Sequence, residues 1–89
     1  MPPAPPTEPD RTLDCIGLLC PLPVLRAARE LRWMEVGDVL AVLASDRMAE
    51  IDLPHYCGQA GHDYLGMAAA DGATRHLIRC GVTYQEPDL

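Results

Sequence analysis

The sequence contains no lysine, no phenylalanine and only one tryptophan among its 89 residues. Its seven basic residues are therefore all arginines, and thirteen carboxylates outnumber them to give a net charge of −6. Without lysine, the chain has no side-chain amine for a Schiff base or for amine nucleophilic catalysis. The acidic balance also argues against the concentrated basic face that binding to nucleic acid or to an anionic membrane requires.

Long apolar runs are missing as well. No stretch reaches the roughly 18–20 consecutive apolar residues that span a bilayer. The first ten residues, MPPAPPTEPD, have neither the basic start nor the apolar run of a signal peptide. We therefore predict a cytoplasmic protein, in which thiols stay reduced. The four cysteines are accordingly expected to be free, and they are Cys15, Cys20, Cys57 and Cys80.

The length of the chain fits one small domain, which buries only about 60–65% of the surface that its unfolded form exposes. Five prolines identify residues 1–10 as an extended or disordered tail, with a proline-recognition ligand as the alternative interpretation. We place the folded domain at residues 11–82 and a C-terminal tail at residues 83–89.

Residue patterning predicts a strand, a helix and a second strand in the first half of the domain. Apolar and polar residues alternate over residues 12–16, and Gly17 ends this strand. A helix follows from Cys20-Pro21-Leu22-Pro23 to about Met34, since proline is tolerated in a first helical turn. Its predicted apolar face consists of Val24, Leu25, Ala28 and Leu31. The continuous apolar run at residues 39–44 suits a central strand covered by helices.

The second half predicts another helical segment and a hairpin. Ser45 and Asp46 can cap a helix from Arg47 to about Gly61, but Pro54 should divide it into a turn and a second helical piece. Two strands at residues 62–70 and 73–80 are joined by Asp71-Gly72, a strong hairpin signal. The order β-α-β-α-β-β predicts an α+β two-layer sandwich, in which a mixed four-stranded sheet carries both helices on one face.

Cys20 is the predicted functional residue. It lies just before the first helix, where unpaired N–H groups and the positive end of the helix dipole favour a thiolate. We therefore expect the pKa of Cys20 to lie below the usual thiol value of about 8.5, which makes it a nucleophile. Pro21 and Pro23 stiffen the turn and hold the sulfur outward.

The stretch LDCIGLLCPLPVL at residues 13–25 resembles the signature of the TusA/SirA-like sulfur-carrier family, in which a Gly-Leu-x-Cys-Pro-x-Pro motif opens the first helix. The resemblance covers about residues 12–81. Later pieces of the chain that match the family are Gly37-Asp38, Ser45-Asp46, Asp52-Leu53-Pro54 and Gly61-His62.

The resemblance implies the same β-α-β-α-β-β sandwich and a sulfur relay. Cys20 would accept sulfur as a persulfide from a cysteine desulfurase or a rhodanese-type donor. An acceptor protein would then take that sulfur for tRNA thiolation, molybdenum-cofactor assembly or sulfur oxidation. No cofactor is expected, and the free protein should be a monomer. The resemblance also implies supporting roles, with Asp14 positioning the loop, for the motif residues Asp14, Gly17, Leu18, Pro21 and Pro23.

The remaining cysteines and histidines are expected to be structural. Cys15 and Cys57 should pack in the core, Cys80 could be exposed near a sheet edge, and His76 should face solvent. His62 could shape the surface beside the motif. The methionines at 34, 48 and 67 are interpreted as core or edge fillers.

Three other functions stay open at the sequence level. His55, Cys57, His62 and Cys80 are chemically able to bind a metal, but they lack the close pairs of a typical zinc site, and we predict no metal. The domain could be a regulatory or redox-sensing module on the same fold. Cys15 and Cys20 could also form a dithiol redox pair.

Overall fold

The computed structural model describes residues 8–82. Its elements, in chain order, are β1 (Arg11–Cys15), α1 (Leu22–Leu31), β2 (Val39–Ala44), α2 (Ala49–Ala60), β3 (Asp63–Ala70) and β4 (Ala73–Arg79). The predicted β-α-β-α-β-β order is confirmed. The division into tails at 1–10 and 83–89 around a domain at 11–82 stays a prediction, because residues 1–7 and 83–89 lie outside the described residues.

The four strands form one sheet in the order β1-β2-β4-β3. β1 runs parallel to β2, whereas β4 is antiparallel to both of its neighbours. Asp10 extends the β1 edge, since its N–H donates to the Val39 carbonyl at 2.7 Å and its carboxylate accepts from the Val39 N–H at 2.8 Å. Both helices pack against one face, as predicted for the α+β two-layer sandwich. Neither helix is long and apolar enough to cross a membrane, as judged over the described residues.

The core lies between the sheet and the helices and is centred on β2. Five of the six β2 residues are buried and Leu43 is half-buried, which agrees with a predicted central strand. Small aliphatic residues and cysteines fill this layer in place of the missing phenylalanine. The buried cluster consists of Cys15, Ala27, Leu31, Met34, Leu40, Val42, Ala44, Ala49, Leu53, Cys57, Ile78 and Cys80.

α1 is shorter than the sequence predicted, and its buried face only partly matches the predicted one, since Leu31 is buried and Val24 packs against the core. It ends at Leu31, because the following residues form i→i+3 bonds: Trp33 N–H donates to the Glu30 carbonyl and Met34 N–H to the Leu31 carbonyl, both at 3.1 Å. Pro23, Ala27 and Leu31 are buried. Leu25, which was assigned to the apolar face, is 56% exposed. These buried residues repeat every four positions along one side of the helix, and Leu25 lies two residues from Pro23 and from Ala27, off that side.

α2 runs without a break through Pro54, contrary to the expected interruption. The predicted capping by Ser45 and Asp46 is wrong, because Met48 is the N-cap residue and no side chain caps the helix. Asp46 Oδ1 instead accepts the Met48 N–H in the turn that leads into α2. That turn is held by i→i+3 bonds from Ala49, Glu50 and Ile51, so α-type bonding begins only near Asp52. A proline inside a helix costs about 3 kcal/mol. Burial of Ala49, Leu53 and Cys57 along one face offsets that cost.

His76 and Cys80 were expected at the surface, and both are fully buried. His76 lies on β4, which pairs on both sides, and it points towards the helix layer like Ile78 two residues later. Cys80 directly follows β4 and lies against the end of α1 and the turn after it. Its Sγ lies 3.8 Å and 3.7 Å from the carbonyls of Leu31 and Met34. Of the methionines, Met34 is buried, whereas Met48 and Met67 are about half exposed.

A chain of side-chain hydrogen bonds accommodates the buried imidazole of His76. Thr74 Oγ1 donates to the Ala44 carbonyl at 3.3 Å and lies 2.7 Å from His76 Nε2. His76 Nδ1 lies 2.8 Å from the Tyr64 hydroxyl. A consistent assignment has Nε2–H donating to Thr74 and Nδ1 accepting from Tyr64, so a neutral ring satisfies every group.

Replacing Leu53 tests the continuous helix α2. Leu53 is fully buried and Ile51, two residues earlier, is 64% exposed. We expect Leu53→Ala to lower the free energy of unfolding by about 2–5 kcal/mol. Ile51→Ala, the matched control, should change it by no more than about 0.5 kcal/mol. Urea denaturation measures both values, and equal losses would place the helix in another register.

The buried imidazole predicts acid sensitivity. Burial lowers the pKa of His76, and Glu50 only partly offsets this effect. The unfolded chain therefore takes up a proton at a higher pH than the folded chain, and stability is lost as the pH falls below about 6.5. His76→Gln should show a smaller loss of unfolding free energy between about pH 7.5 and pH 5.

Chemical denaturation at several pH values measures this loss. Burial also lowers the pKa of His62, so some pH dependence should persist in the His76 variant. The exposed His55 supplies the control. His55→Gln should retain the wild-type pH dependence, and a His76 variant that also retained it would refute the assignment.

Candidate functional site

The connection between β1 and α1 is a tight turn that carries Cys20. Gly17 ends β1 with a positive φ of 83°, a conformation that side chains rarely adopt, and so this position favours glycine. The Asp14 carboxylate accepts the Ile16 N–H at 2.9 Å. Leu18 N–H donates to the Cys15 carbonyl at 3.1 Å, and the Leu18 side chain packs against the core. These contacts fix the start of the turn.

The carboxyl end of β2 holds the same turn from the side. Ser45 Oγ accepts the Gly17 N–H at 2.8 Å, and Asp46 Oδ2 accepts the Cys20 N–H at 2.7 Å. Asp46 Oδ1 accepts at 3.0 Å the N–H of Met48, the residue immediately before α2. These backbone donors lower the pKa of Asp46, which therefore stays ionised beside Cys20. β1 and β2 are parallel neighbours, so their carboxyl ends meet at one edge.

The thiol of Cys20 is exposed and contacts a carboxylate of α2. Cys20 Sγ donates to Asp52 Oδ2 at 2.9 Å. Asp52 lies in the first turn of α2, thirty-two residues further along the chain. The site is therefore assembled from the β1–α1 turn, the end of β2 and the start of α2.

The charge around Cys20 contradicts the predicted thiolate. The hydrogen bond to Asp52 is the main cause that raises the pKa of Cys20 above its ordinary value, and partial desolvation and the charges of Asp52 and Asp46 act in the same direction. The expected helix donors are largely absent: Pro21 and Pro23 have no N–H, and Leu22 N–H donates to the Leu19 carbonyl at 2.8 Å. Empty Cys20 is consequently a protonated thiol near neutral pH.

A shallow groove of about 220 Å³ runs from Cys20 along α2. Its lining surface is largely apolar. The lining residues are Cys20, Pro21, Val24, Asp52, His55, Tyr56 and Gln59. Such an open surface suits contact with another protein's chain better than enclosure of a small molecule.

Some of the predicted motif residues lie beside the Cys20 sulfur, whereas others support the turn or the helix and do not contact it. Pro21 lines the groove, and the Cys20–Pro21 peptide bond is cis. Pro23 lies in the first turn of α1 and is buried. Asp14 and Gly17 hold the backbone of the turn through the hydrogen bonds to Ile16 and Ser45, and neither of these bonds involves the Cys20 thiol.

The other three cysteines are free and buried, and Cys20 is the exposed one of the four. Burial raises the pKa of Cys15 and raises that of Cys57 to about 11, so neither is a ready nucleophile. Over residues 8–82, no three His, Cys, Asp or Glu side chains form a group that could hold a metal ion.

His62 lies at the far end of α2 from Asp52 and supports the groove indirectly. Its Nδ1 accepts the Gly81 N–H at 3.0 Å, and its ring centroid lies 5.9 Å from that of Tyr56, a groove residue. Burial lowers the pKa of His62. The imidazole therefore packs behind the groove wall.

Asp52 is the residue of the candidate site that sequence reasoning missed, and Asp46 was recognised only as a helix cap. Their signal was present, because Ser45-Asp46 and Asp52-Leu53-Pro54 belong to the pieces that match the sulfur-carrier pattern. The match alone gave no geometry. Only the fold shows that both carboxylates converge on one cysteine.

The fold and the site together define a class of protein: a small α+β sandwich that presents one exposed thiol beside its helices. The family model described as Sulfurtransferase TusA matches residues 11–80, and the chain belongs to this family. The resemblance to TusA/SirA-like proteins is thereby confirmed.

Individual relatives agree with the family. A Neisseria meningitidis serogroup A protein provisionally named a sulfur carrier protein is 51% identical over 68 residues, covering 76% of this chain and 92% of that protein. Bacillus subtilis YrkF, with a similar provisional name, is 35% identical over 69 residues, covering 78% of this chain but 37% of YrkF. The crystal structure of a SirA-like protein from Desulfitobacterium hafniense has a TM-score of 0.71 at 28% identity, covering 81% of this chain and 99% of that one.

Asp52→Asn should make the empty thiol more acidic. The variant removes the carboxylate that raises the pKa of Cys20, so alkylation by neutral iodoacetamide should accelerate near neutral pH and its midpoint should move to lower pH. Rates measured by intact mass across a pH series test this. Asp63→Asn removes the same charge from the exposed start of β3 and should leave the profile unchanged. Identical profiles for all three proteins would contradict the role given to Asp52.

Proposed function

We propose that this protein is a sulfur carrier that accepts sulfur as a persulfide on Cys20 and passes it to an acceptor protein. The observation that supports this most directly is the exposed Cys20 thiol, set in a rigid turn beside an open groove, in a chain whose other cysteines are buried. Membership of the TusA family supports sulfur transfer as the chemistry. Sulfur moves between two proteins, so the chain acts as a relay and does not turn over a small molecule.

The uptake step transfers one sulfane sulfur without net oxidation. Cys20 loses its proton to solvent, and the resulting thiolate attacks the outer sulfur of a donor cysteine persulfide. A bond forms between Cys20 Sγ and that sulfur while the donor's S–S bond breaks, and the donor cysteine leaves as a thiolate that takes up a proton. Delivery is the same exchange with an acceptor thiolate as the attacking group.

The groove gives the carrier a surface on which a partner's cysteine can approach. Leu19 beside the sulfur is 69% exposed and Ile51 beside Asp52 is 64% exposed, so apolar side chains flank the thiol. Exposed apolar groups of this kind contribute to protein–protein contacts. We assign the donor to the cysteine desulfurases or rhodanese-type proteins and leave three destinations: tRNA thiolation, molybdenum-cofactor assembly or sulfur oxidation.

The proposal also includes a cytoplasmic location and a free monomer that contacts neither nucleic acid nor membrane directly. The net charge of −6 supports the last point, because phosphate surfaces repel an acidic protein. The charged groups that act on Cys20 are acidic too.

The alternatives from the sequence are less well supported. A Cys15/Cys20 dithiol needs both sulfurs to meet, but Cys15 has no exposed surface and packs in the core, whereas Cys20 is exposed. A regulatory or redox-sensing module would use a Cys20 that oxidants attack readily. The carboxylate that raises the pKa of this thiol works against such sensitivity.

Mass spectrometry after incubation with a cysteine desulfurase, pyridoxal phosphate and cysteine tests the carrier function. We expect an adduct of about 32 Da, one sulfur atom, that peptide mapping places on Cys20 and that a reductant removes. Cys20→Ala should carry no adduct. Cys57→Ala, whose folding is checked by circular dichroism, should carry it at the wild-type level.

The desulfurase used in the test could be the wrong donor for this carrier. A rhodanese with thiosulfate is therefore used in parallel. Absence of the adduct with both donors would contradict the carrier function. Disulfide formation that requires both Cys15 and Cys20 under mild oxidant would favour the dithiol instead.

A further inference from the structure

We propose that Asp52 is a specificity-determining residue that slows the exchange of sulfur between Cys20 and small thiols, so that sulfur moves mainly within a protein complex. This inference rests on the proposed carrier function and adds a second role to the site, the retention of the cargo. It follows from the position of one carboxylate oxygen against the reacting atom.

The relevant contact is between the reacting sulfur and a charge. Cys20 Sγ and Asp52 Oδ2 are 2.9 Å apart, and the proton between them belongs to the empty thiol. A persulfide on Cys20 has no proton on Sγ, so loading removes this hydrogen bond. The carboxylate then lies beside a sulfur that has nothing to donate to it.

Release of sulfur requires negative charge at that same atom. A small thiolate attacks the outer sulfur of the Cys20 persulfide, the S–S bond breaks, and its electron pair stays on Cys20 Sγ, which becomes a thiolate and then takes a proton from water. A thiol of higher pKa is the poorer leaving group in this exchange. The charge of Asp52 opposes the anion that develops on Sγ, and it therefore slows release.

Uptake of sulfur from small persulfides is slowed by the same negative charge, because it also requires a thiolate on Cys20. The thiol must first ionise, and Asp52, together with Asp46 held by the Cys20 and Met48 N–H groups, disfavours the thiolate. Both directions of exchange thus pass through negative charge on Sγ. A carrier with this arrangement exchanges sulfur slowly in the absence of its partners, whether it is empty or loaded.

The position of Asp52 allows a partner to remove the obstacle. Asp52 is half-buried at the rim of the groove, and no ion pair joins it to another residue among residues 8–82. A protein that docks on the groove and places a cationic or hydrogen-bond-donating side chain against this carboxylate would neutralise it. The barrier would then fall only where the correct cysteine is present.

The test measures how long the loaded protein keeps its sulfur. Wild-type protein and Asp52→Asn are loaded with sulfur on Cys20 by the desulfurase, and the donor is then removed. Each is mixed with 2-mercaptoethanol, a small thiol that has no charged group besides its thiolate. Intact mass then gives the rate at which the adduct is lost and the unmodified chain returns. We expect Asp52→Asn to lose its sulfur about ten-fold faster, the factor for one unit charge in water at the 2.9 Å that separates Asp52 Oδ2 from Cys20 Sγ.

Two controls separate charge from structure. Asp63→Asn changes the net charge by the same amount at the exposed start of β3 and should release sulfur at the wild-type rate. Raising the salt concentration should speed release from wild type and have a smaller effect on Asp52→Asn, because salt screens the carboxylate. A merely structural role for Asp52 would leave the salt response the same in both proteins.

The results separate this inference from the function on which it rests. Loading of wild type followed by equal release rates in wild type and Asp52→Asn would overturn the retention role and leave the carrier function standing. Faster release in Asp63→Asn as well would attribute the effect to net charge and would also overturn it. Failure of every donor to load Cys20 would overturn both proposals.

Discussion

The Asp46 carboxylate binds two segments that lie far apart in the sequence, and the site depends on it. One oxygen accepts the Cys20 N–H and the other accepts the Met48 N–H at the entry to α2. Asp46, at the end of β2, therefore fixes the position of the turn that carries Cys20 relative to the helix that carries Asp52. Without this link the 2.9 Å contact between Cys20 and Asp52 would have no fixed geometry.

The arrangement reverses the usual expectation for a cysteine before a helix. Helix N-termini lower thiol pKa values through unpaired N–H groups. Here two prolines remove such groups, a neighbouring carbonyl accepts the Leu22 N–H, and two carboxylates lie beside the sulfur. The nearby carboxylates raise the pKa of the thiol more than the few N–H groups at this helix end lower it. A carrier benefits from this, because a reactive thiolate would be consumed before it met its donor.

The fold was predictable from the sequence where local pattern and global structure agree. The apolar run of β2, the glycine after β1 and the Asp71-Gly72 hairpin each specify their element with little outside help. Predictions failed where tertiary packing decides. Burial of Leu53 and Cys57 carries α2 through Pro54, and double pairing of β4 buries His76. Cys20 could be identified from its motif, but Asp52 could not, since only the fold brings it to the sulfur.

The order in which the chain is synthesised gives the contact with Asp52 a further meaning. Cys20 leaves the ribosome well before β2 and α2 exist, so the nascent thiol has neither carboxylate beside it. Its ionisation at that stage is that of an ordinary cysteine, and it changes when residues 39–60 fold against the turn. The low reactivity of the sulfur is thus acquired when β2 and α2 pack against the turn, and the rate at which the thiol reacts can report on that step.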